Sequence, residues 1–271
     1  MTANASGYDA ALSGNRVFSF YRRISLSELL GAFKPGDRLL ELGGGTGEEA
    51  VELARRGMSV LLTDVSASQV RSAKERARRE GLERSLEARV LSIDDLETLE
   101  NELGKGAFDG AFSSFGALNC ARDIERVPPG LHALIRPGGR FVCSAMNRSC
   151  AWELMSGLAT LRPGRAFRRL RPAKATIDGV PGARFTVRYF THGEMADLFR
   201  PHFTIERLSD HPLLPPPYMD GVFRHLPGYL DWAFGQNGRA LRGLGDHLFL
   251  TMRRRGLERG GSGAPNLEIG L

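Results

Sequence analysis

The 271-residue sequence predicts an α/β fold of the doubly wound kind, a parallel sheet with helices on both faces. Three observations predict it. Strand-like and helix-like patterns alternate from residue 16 to about residue 146. The strand-like runs are short and apolar, as buried strands are. Turn and cap residues (Pro35-Gly36-Asp37, Gly57, Ser66, Gly81) punctuate the alternation where elements must end or begin.

Taken in order, Asn15 to Phe33 reads as a helix, because Phe18, Tyr21, Leu26, Leu29, Leu30 and Phe33 form one broad apolar face. Arg38 to Leu42 is a buried strand that runs straight into glycines. Thr46 opens a second helix, with Glu49 as its capping-box partner, and the helix ends at Gly57. Met58 to Thr63 is the second strand, closed by Asp64. Ser66, boxed with Gln69, caps a helix that reaches Gly81. Leu86 to Ser92 is the third strand, and a short acidic helix starts at Asp94. Phe108 to Ser113 is the fourth strand and Asp123 to Ile135 the fourth helix. Pro137-Gly138-Gly139 then turns into a fifth strand, Arg140 to Ala145.

After residue 146 the rhythm changes. A proline- and arginine-rich insertion, 147–182, precedes a strand-like Phe185 to Phe190. Thr191 caps a helix through Glu194, and Phe203 to Leu208 is a further strand. The segment H-P-L-L-P-P-P-Y-M at 211–219 cannot be regular, since its consecutive prolines lack donors and fix φ. With the helical piece after it, it makes a second insertion, 211–240. Asp246 to Met252 is the last strand, and 256–271 reads as a flexible tail. No second complete domain pattern appears, so 1–255 is expected to be one domain with its ligand-binding core at 35–146.

The totals exclude several classes. With 42% apolar and 25% charged residues, the chain suits a globular protein, and no stretch approaches a membrane span or secretory leader. Three cysteines, Cys120, Cys143 and Cys150, lack metal spacing and read as reduced thiols in a cytoplasmic protein. The net charge of +6 lies wholly in the second half. Residues 1–150 hold 20 basic and 20 acidic side chains, and 151–271 hold 17 and 11. The densest run, R-P-G-R-A-F-R-R-L-R-P-A-K from Arg162 to Lys174, is either a solvated face or a holder of phosphates.

Residues 39–47 read L-L-E-L-G-G-G-T-G. Glycine at a strand-to-helix turn permits positive φ and close approach of a ligand. A phosphate-cradling loop needs Lys-Ser/Thr after its last glycine, whereas Glu48-Glu49 follow here. A dinucleotide fingerprint needs G-x-G-x-x-G, which fails at Glu48. What remains is acid-x-Gly-x-Gly-x-Gly: Glu41, Gly43, Gly45 and Gly47.

On a strand-turn-helix, that pattern resembles motif I of the class I S-adenosylmethionine-dependent methyltransferases. The resemblance spans roughly residues 35–145. Asp64 stands seventeen residues past Gly47, where the family's acid accepts the ribose hydroxyls, with Val65 after it. S-I-D-D at 92–95 stands where the family contacts adenine, implying Ile93 and Asp94. F-D-G-A-F-S-S-F-G-A-L-N at 108–119 resembles motif IV, implying a cofactor contact at Ser113, and L-I-R-P-G-G-R-F at 134–141 resembles the turn before strand five. The family often carries Cys, Ser or Ala where Gly44 stands. The resemblance implies a mostly parallel, seven-stranded Rossmann-like sheet with an antiparallel last strand, here following Gly245-Asp246-His247, and S-adenosylmethionine as cofactor with no metal. Tyr8, Phe20 and Tyr21, on or before the first helix, are expected to cover the methionine end, Tyr21 as a direct contact, the alternative being that Phe20 and Tyr21 pack into the core.

Methyl transfer from a sulfonium needs mainly alignment and exclusion of water, so no catalytic dyad need show. His211 and His225, beside or beyond the proline segment, are the expected general bases if one is used; His192 and His247 are expected to be structural. Phe115, Asn119, Tyr218 and Met219 are expected to shape an acceptor pocket. The Pro-Pro-Tyr/Trp tetrapeptide of DNA-amino and glutamine methyltransferases is replaced by Ser113-Ser114-Phe115-Gly116. A small, partly apolar acceptor is therefore expected, the protein acting as monomer or homodimer. The alternatives are an RNA methyltransferase using the arginine run, which lacks interleaved aromatics, and a non-catalytic cofactor-binding scaffold.

Overall fold

The computed structural model describes residues 14–170, 173–176, 184–211, 213–223, 225–226, 228–235 and 243–256. Its centre is a seven-stranded sheet. The strands are β1 (Arg38–Leu42), β2 (Ser59–Asp64), β3 (Leu86–Val90), β4 (Phe108–Ser113), β5 (Ile135–Met146), β8 (Phe203–Asp210) and β9 (His247–Arg254), and the spatial order is β3-β2-β1-β4-β5-β9-β8. All neighbours from β3 to β5 pair parallel, whereas β9 runs antiparallel to β5 and to β8. The order reverses beside β1, between β1 and β4. In such sheets this is where a crevice opens at the carboxyl ends of the strands.

The helices are α1 (Arg16–Ala32), α2 (Glu48–Ala54), α3 (Ala67–Arg79), α4 (Leu96–Leu103), α5 (Val127–Leu134), α6 (Ala151–Ala159), α7 (Pro163–Ala166), α8 (His192–Phe199), α9 (Asp220–Phe223) and α10 (Tyr229–Gly235). β1 shows how the sheet serves two layers. Leu39 packs with Leu53, Val70 and Phe112 on one face, while Leu40 and Leu42 join Leu131, Phe141 and Phe199 on the other. A third apolar cluster joins Val17, Phe20, Tyr21 and Ile24 of α1 to Leu214, Phe223, Leu230 and Phe249. It ties α1, α9 and α10 to β9, so the proline segment is fastened to the sheet rather than loose.

Local signals acted where expected at several helix ends. Asn15 caps α1 by accepting from Phe18 N, and Thr191 and Glu194 form a reciprocal capping box on α8. Ser66 accepts from Gln69 N, but the Gln69 Oε1 has no hydrogen-bond partner among the described residues, so that box is half-made. The expected cap at Thr46 is corrected. The N-cap of α2 is Gly47 at φ +77, a conformation a threonine adopts only with strain.

Three further corrections concern elements. Pro137-Gly138-Gly139 is a bulge inside β5 rather than a turn before it: β4 pairs Phe108 with Ile135 and then Gly110 with Arg140. The fourth helix is preceded by a 3-10 turn at Ile124–Arg126, α5 itself starting at Val127. Arg184–Val187 is β7, which pairs with an unforeseen β6 (Ala173–Thr176) in a separate two-stranded sheet. Tyr8, Arg171 and the tail from residue 257 lie outside the described residues. Among the described residues no helix is long and apolar enough to cross a membrane. The three cysteines are unpaired, and burial pushes the Cys150 thiol up to about 12.

Candidate active site

At the carboxyl end of β1 the chain makes its glycine turn. Gly43, Gly45 and Gly47 all have positive φ, at +66, +55 and +77. A Cβ on Gly43 would overlap that of Ala117, and one on Gly44 would sit 2.5 Å from Glu41 Oε2. A Cβ on Gly45 would meet nothing within 4 Å, so the turn there borders open space. We expect Gly43→Ala to lower stability by about 1–3 kcal/mol, the usual range for a strained backbone. A thermal melt shows it, at about 2–4 °C per kcal/mol for a domain of this size.

Glu41 lies beneath the turn, 1% exposed. Its Oε2 has no hydrogen-bond donor among the described residues, and Gly44 is the space in which the carboxylate lies. Burial pushes its pKa well up, and the negative charges of Glu49 and Asp64 push it further. Gly44 is thus coupled to Glu41: a larger residue there would displace the carboxylate.

Asp64 ends β2. Its Oδ2 accepts from Gly45 N at 2.9 Å and its Oδ1 from Ser66 N at 2.8 Å, so one carboxylate fixes both the glycine turn and the start of α3. Burial raises its pKa despite these two bonds. Val65, beside it, is 51% exposed, an apolar face left bare at the crevice edge. Beyond β3, Ile93 is half-buried against the core. Asp94 accepts from Arg122 N and Asp123 N, both at 3.1 Å, which fastens the β3 loop to the loop after β4.

Two expectations are corrected by burial. Asn119 is fully buried, and its amide is consumed by the fold. Nδ2 donates to Met146 O and Arg188 O, and Oδ1 accepts from Met146 N at 2.8 Å. It clamps the end of β5 and has no polar atom left for an acceptor. Ser113 is likewise fully buried, donating to Leu42 O at 3.0 Å, so its hydroxyl locks β4 to β1 rather than facing a ligand.

The α1 side closes over the crevice. Arg22 pairs with Glu48 at the start of α2 and lies 4.9 Å over the Phe18 ring. Phe18 meets Phe115 with ring centroids 4.9 Å apart. Phe115 follows β4 at φ +55, a strained position for a non-glycine residue, and its N–H donates to Ser144 Oγ at 2.8 Å. Tyr21 is fully buried, its hydroxyl donating to Leu214 O at 3.1 Å and its ring 5.0 Å from that of His247. Phe20 packs on Phe234, away from Phe18.

One residue of the arginine run is internal. Arg169 is 5% exposed. One guanidinium nitrogen donates to Asn147 O and Asp246 O, and the other to Glu153 Oε1 at 2.7 Å and to Asp246 Oδ1. Arg168 grips Glu153 through two bonds, at 2.9 and 2.6 Å. Glu153 also accepts the Tyr218 hydroxyl at 3.0 Å, and Arg168 lies 5.1 Å over the Tyr218 ring. Burial would raise the pKa of Glu153, but hydrogen bonds from Arg168 and Arg169 outweigh it and hold it low. Two arginines and two carboxylates therefore cancel within one cluster, buried except at Arg168, that joins α6, the start of β9 and the proline segment. Neither a solvated face nor a phosphate-holding one describes Arg169, whereas Arg162 and Arg168 are exposed, Arg168 with 46% of its side chain open to solvent.

The structure places His211 at the carboxyl end of β8 against Phe234 and Phe249, where burial lowers its pKa. His225, on the turn after α9, is exposed, and Met219 packs on the third cluster. The histidine that the structure does bring to the crevice is His247. Its ring contacts Tyr21 and, at 6.3 Å, Phe115, and its Nδ1 lies 2.9 Å from Asp246 Oδ2. Its position in a strand pattern gave no hint of this, because β9 enters the sheet beside β5 from the far end of the chain.

Known proteins resemble parts of this chain. Residues 33–167 match the family model described as a methyltransferase domain. Over 158 residues the chain is 30% identical to the S-adenosyl-L-methionine-dependent Diels-Alderase iccD of Talaromyces variabilis, a match covering 52% of each chain. Over 120 residues it is 34% identical to the ubiquinone/menaquinone biosynthesis C-methyltransferase UbiE of Acidiphilium cryptum, covering 42% of this chain and 44% of that one. The chain thus spans about half the length of the curated relatives it matches. Among solved structures, geranyl diphosphate methyltransferase in complex with SAM superposes with a TM-score of 0.59 at 20% identity, covering 92% of this chain and 90% of that one. At that identity the likeness is one of fold.

Proposed function

Because the chain belongs, through residues 33–167, to the class I S-adenosylmethionine-dependent methyltransferases, we propose that it transfers a methyl group from that cofactor to a small, partly apolar acceptor. One observation carries the reading: the buried Glu41 carboxylate, with an acceptor oxygen lacking a donor, beneath a glycine turn that borders open space. The residues fit the cofactor. Glu49 and Asp64 place negative charge beside the Glu41 carboxyl, which suits a cationic ligand and repels a triphosphate. Asp64 has carboxylate lone pairs left for ribose hydroxyls, the backbone of Gly43, Gly45 and Gly47 gives close approach, and Val65 and Ile93 offer apolar faces to an adenine ring. When bound, S-adenosylmethionine supplies an electrophilic methyl on a sulfonium.

The chain's own residues then have three tasks. Glu41 and Asp64 hold the cofactor in one orientation. Phe18, Phe115 and the Arg22–Glu48 pair exclude water on the α1 side. Tyr218, pinned by Glu153 and Arg168, and Met219 form a wall on the acceptor side. Alignment and dryness of this kind supply much of the rate of a displacement that already has a good leaving group. An RNA acceptor is disfavoured, since Arg168 and Arg169 are both committed to Glu153. The named Diels-Alderase among the relatives gives a second reading, cycloaddition in the same pocket.

Calorimetry tests the cofactor. We expect S-adenosylmethionine and S-adenosylhomocysteine to bind, and NAD and ATP not to. Binding of NAD without S-adenosylhomocysteine would overturn the reading of residues 41–47. Incubation with methyl-labelled cofactor and a metabolite extract then separates the two chemistries. A labelled product with released S-adenosylhomocysteine supports methyl transfer, whereas an unlabelled cyclised product points to cycloaddition.

A further inference from the structure

We propose that the hairpin of α6 and α7 docks the protein on a lipid surface that carries anionic headgroups, and that an apolar acceptor is taken from that surface. The docking stands by itself, whereas the origin of the acceptor rests on the methyltransferase reading above.

Three observations carry it. First, apolar exposure is gathered in one part of the molecule. Among the described residues twelve large apolar side chains are exposed, and nine of them lie on the two insertions. Five of the nine, Met155, Leu158, Leu161, Phe167 and Leu170, fall on α6, α7 and the 3-10 turn Arg168–Leu170. The other four lie between Tyr218 and Trp232, and α6 joins the two groups. The Trp152 ring lies 4.9 Å from that of Phe223 and 6.1 Å from that of Tyr229, and its Nε1 donates to Leu213 O at 3.2 Å. A concentration of this kind marks a surface that another apolar phase covers.

Second, the tip of the hairpin is held out under strain. Leu161 has φ +52 and is 89% exposed. It occupies the left-handed position of a helix-ending turn, in which Arg162 N donates to Gly157 O at 2.8 Å and Leu161 N to Leu158 O at 3.1 Å. Glycine fills that position without strain, and a leucine so exposed gains little packing on its own chain to offset it. Strain of this kind collects at working sites. Beneath the tip α7 packs directly on α6, where a Cβ on Gly157 would lie 2.6 Å from Ala166.

Third, the charge fits. Within residues 151–170 the one acid is Glu153, and its side chain is buried. Arg162 and Arg168 are exposed beside the leucines. Apolar side chains flanked by arginines, with no exposed acid among them, match a bilayer. Its acyl layer takes the leucines while headgroup phosphates meet the guanidinium groups. A second copy of the chain fits less well, because a two-fold contact would set the arginines against themselves. Tyr218, which Glu153 holds and Arg168 covers at 5.1 Å, borders this face. Docking therefore turns the acceptor side of the crevice toward the lipid.

Vesicle flotation of the full chain tests this, with phosphatidylcholine alone and with about 30% phosphatidylglycerol added. The wild type is expected to float with the anionic vesicles and to be released by high salt. Leu158→Asp combined with Leu161→Asp is expected to lower partitioning by about 10–100-fold. Its circular dichroism should not change, since neither leucine belongs to an apolar cluster of the core. Arg162→Gln should lose about fivefold on the anionic vesicles and nothing on the neutral ones. Leu161→Gly relieves the strain while removing the contact, so it should melt about 2–4 °C higher yet bind vesicles more weakly. A wild type that stays in solution, or a doubly substituted chain that floats as well as the wild type, overturns the proposal. So does a wild-type dimer in sedimentation velocity that the double substitution splits, which would assign the face to a second copy. None of these readouts uses the cofactor, so a failure to bind S-adenosylhomocysteine overturns the cofactor reading and leaves the docking test intact.

Discussion

Arg169→Ala is expected to destabilise the protein by about 3–5 kcal/mol, the range for breaking a buried ion pair from one side. The cause is less the lost attraction than what remains. Asp246, 3% exposed at its side chain, would keep a charge with its arginine partner gone, and Asn147 and Asp246 would each lose a donor to the carbonyl. Urea denaturation of the two proteins measures the difference, and a loss under about 1 kcal/mol would show that water enters and solvates the cluster. Acid should act along the same axis. Burial would raise the pKa of Asp246, yet His247 and Arg169 outweigh it and hold the carboxyl well below the usual range. Glu153 is also held low. Since the folded values are depressed, this stability is complete above the unfolded values of about 4 and disappears as the pH falls through the folded ones. In the variant, His247 alone is left to oppose burial, so the Asp246 carboxyl is held down less and acid unfolding should begin at a higher pH than in the wild type.

Asp64→Ala should weaken S-adenosylhomocysteine binding by about one to two orders of magnitude, since charge-assisted bonds contribute about 1.5–3 kcal/mol each and 1.4 kcal/mol is a decade. The variant also removes the acceptor that fixes Gly45 N, so part of the loss comes from a looser turn. Asp64→Asn separates the two. It keeps an acceptor oxygen for the turn but not the charge, and its affinity should fall between the wild type and the alanine variant. Near-normal binding by both would mean that Asp64 serves only the turn and the start of α3. Burial raises the pKa of Asp64, and bonds from the ribose would favour its ionised form. Affinity should therefore be full at neutral pH and decline as the pH falls through that raised value. Calorimetry across the acid range shows the slope.

Local sequence sufficed for the alternation of strands and helices, the strand Phe108–Ser113, the cap at Thr191, and the acid-and-glycine turn at 41–47. These are written within a few residues of one another, in hydrophobic period, in side chains that reach their own backbone, and in glycines that alone tolerate the turn. Tertiary structure decided the rest, because it depends on contacts between distant positions. Thr46 carries the local mark of a cap, yet packing gave that place to Gly47. Asn119 reads as a free polar group near motif IV, but pairing of β5 buries it and consumes its amide. The arginine run looks like a basic surface in one dimension. Its Arg169 becomes paired and internal only when it meets Asp246, 77 residues on. His247 acquires its setting in the same way, since only the entry of β9 beside β5 brings its ring to Tyr21 and Phe115. A local pattern can state which residue types are present, but the charge and burial of each are set by neighbours that the chain supplies from elsewhere.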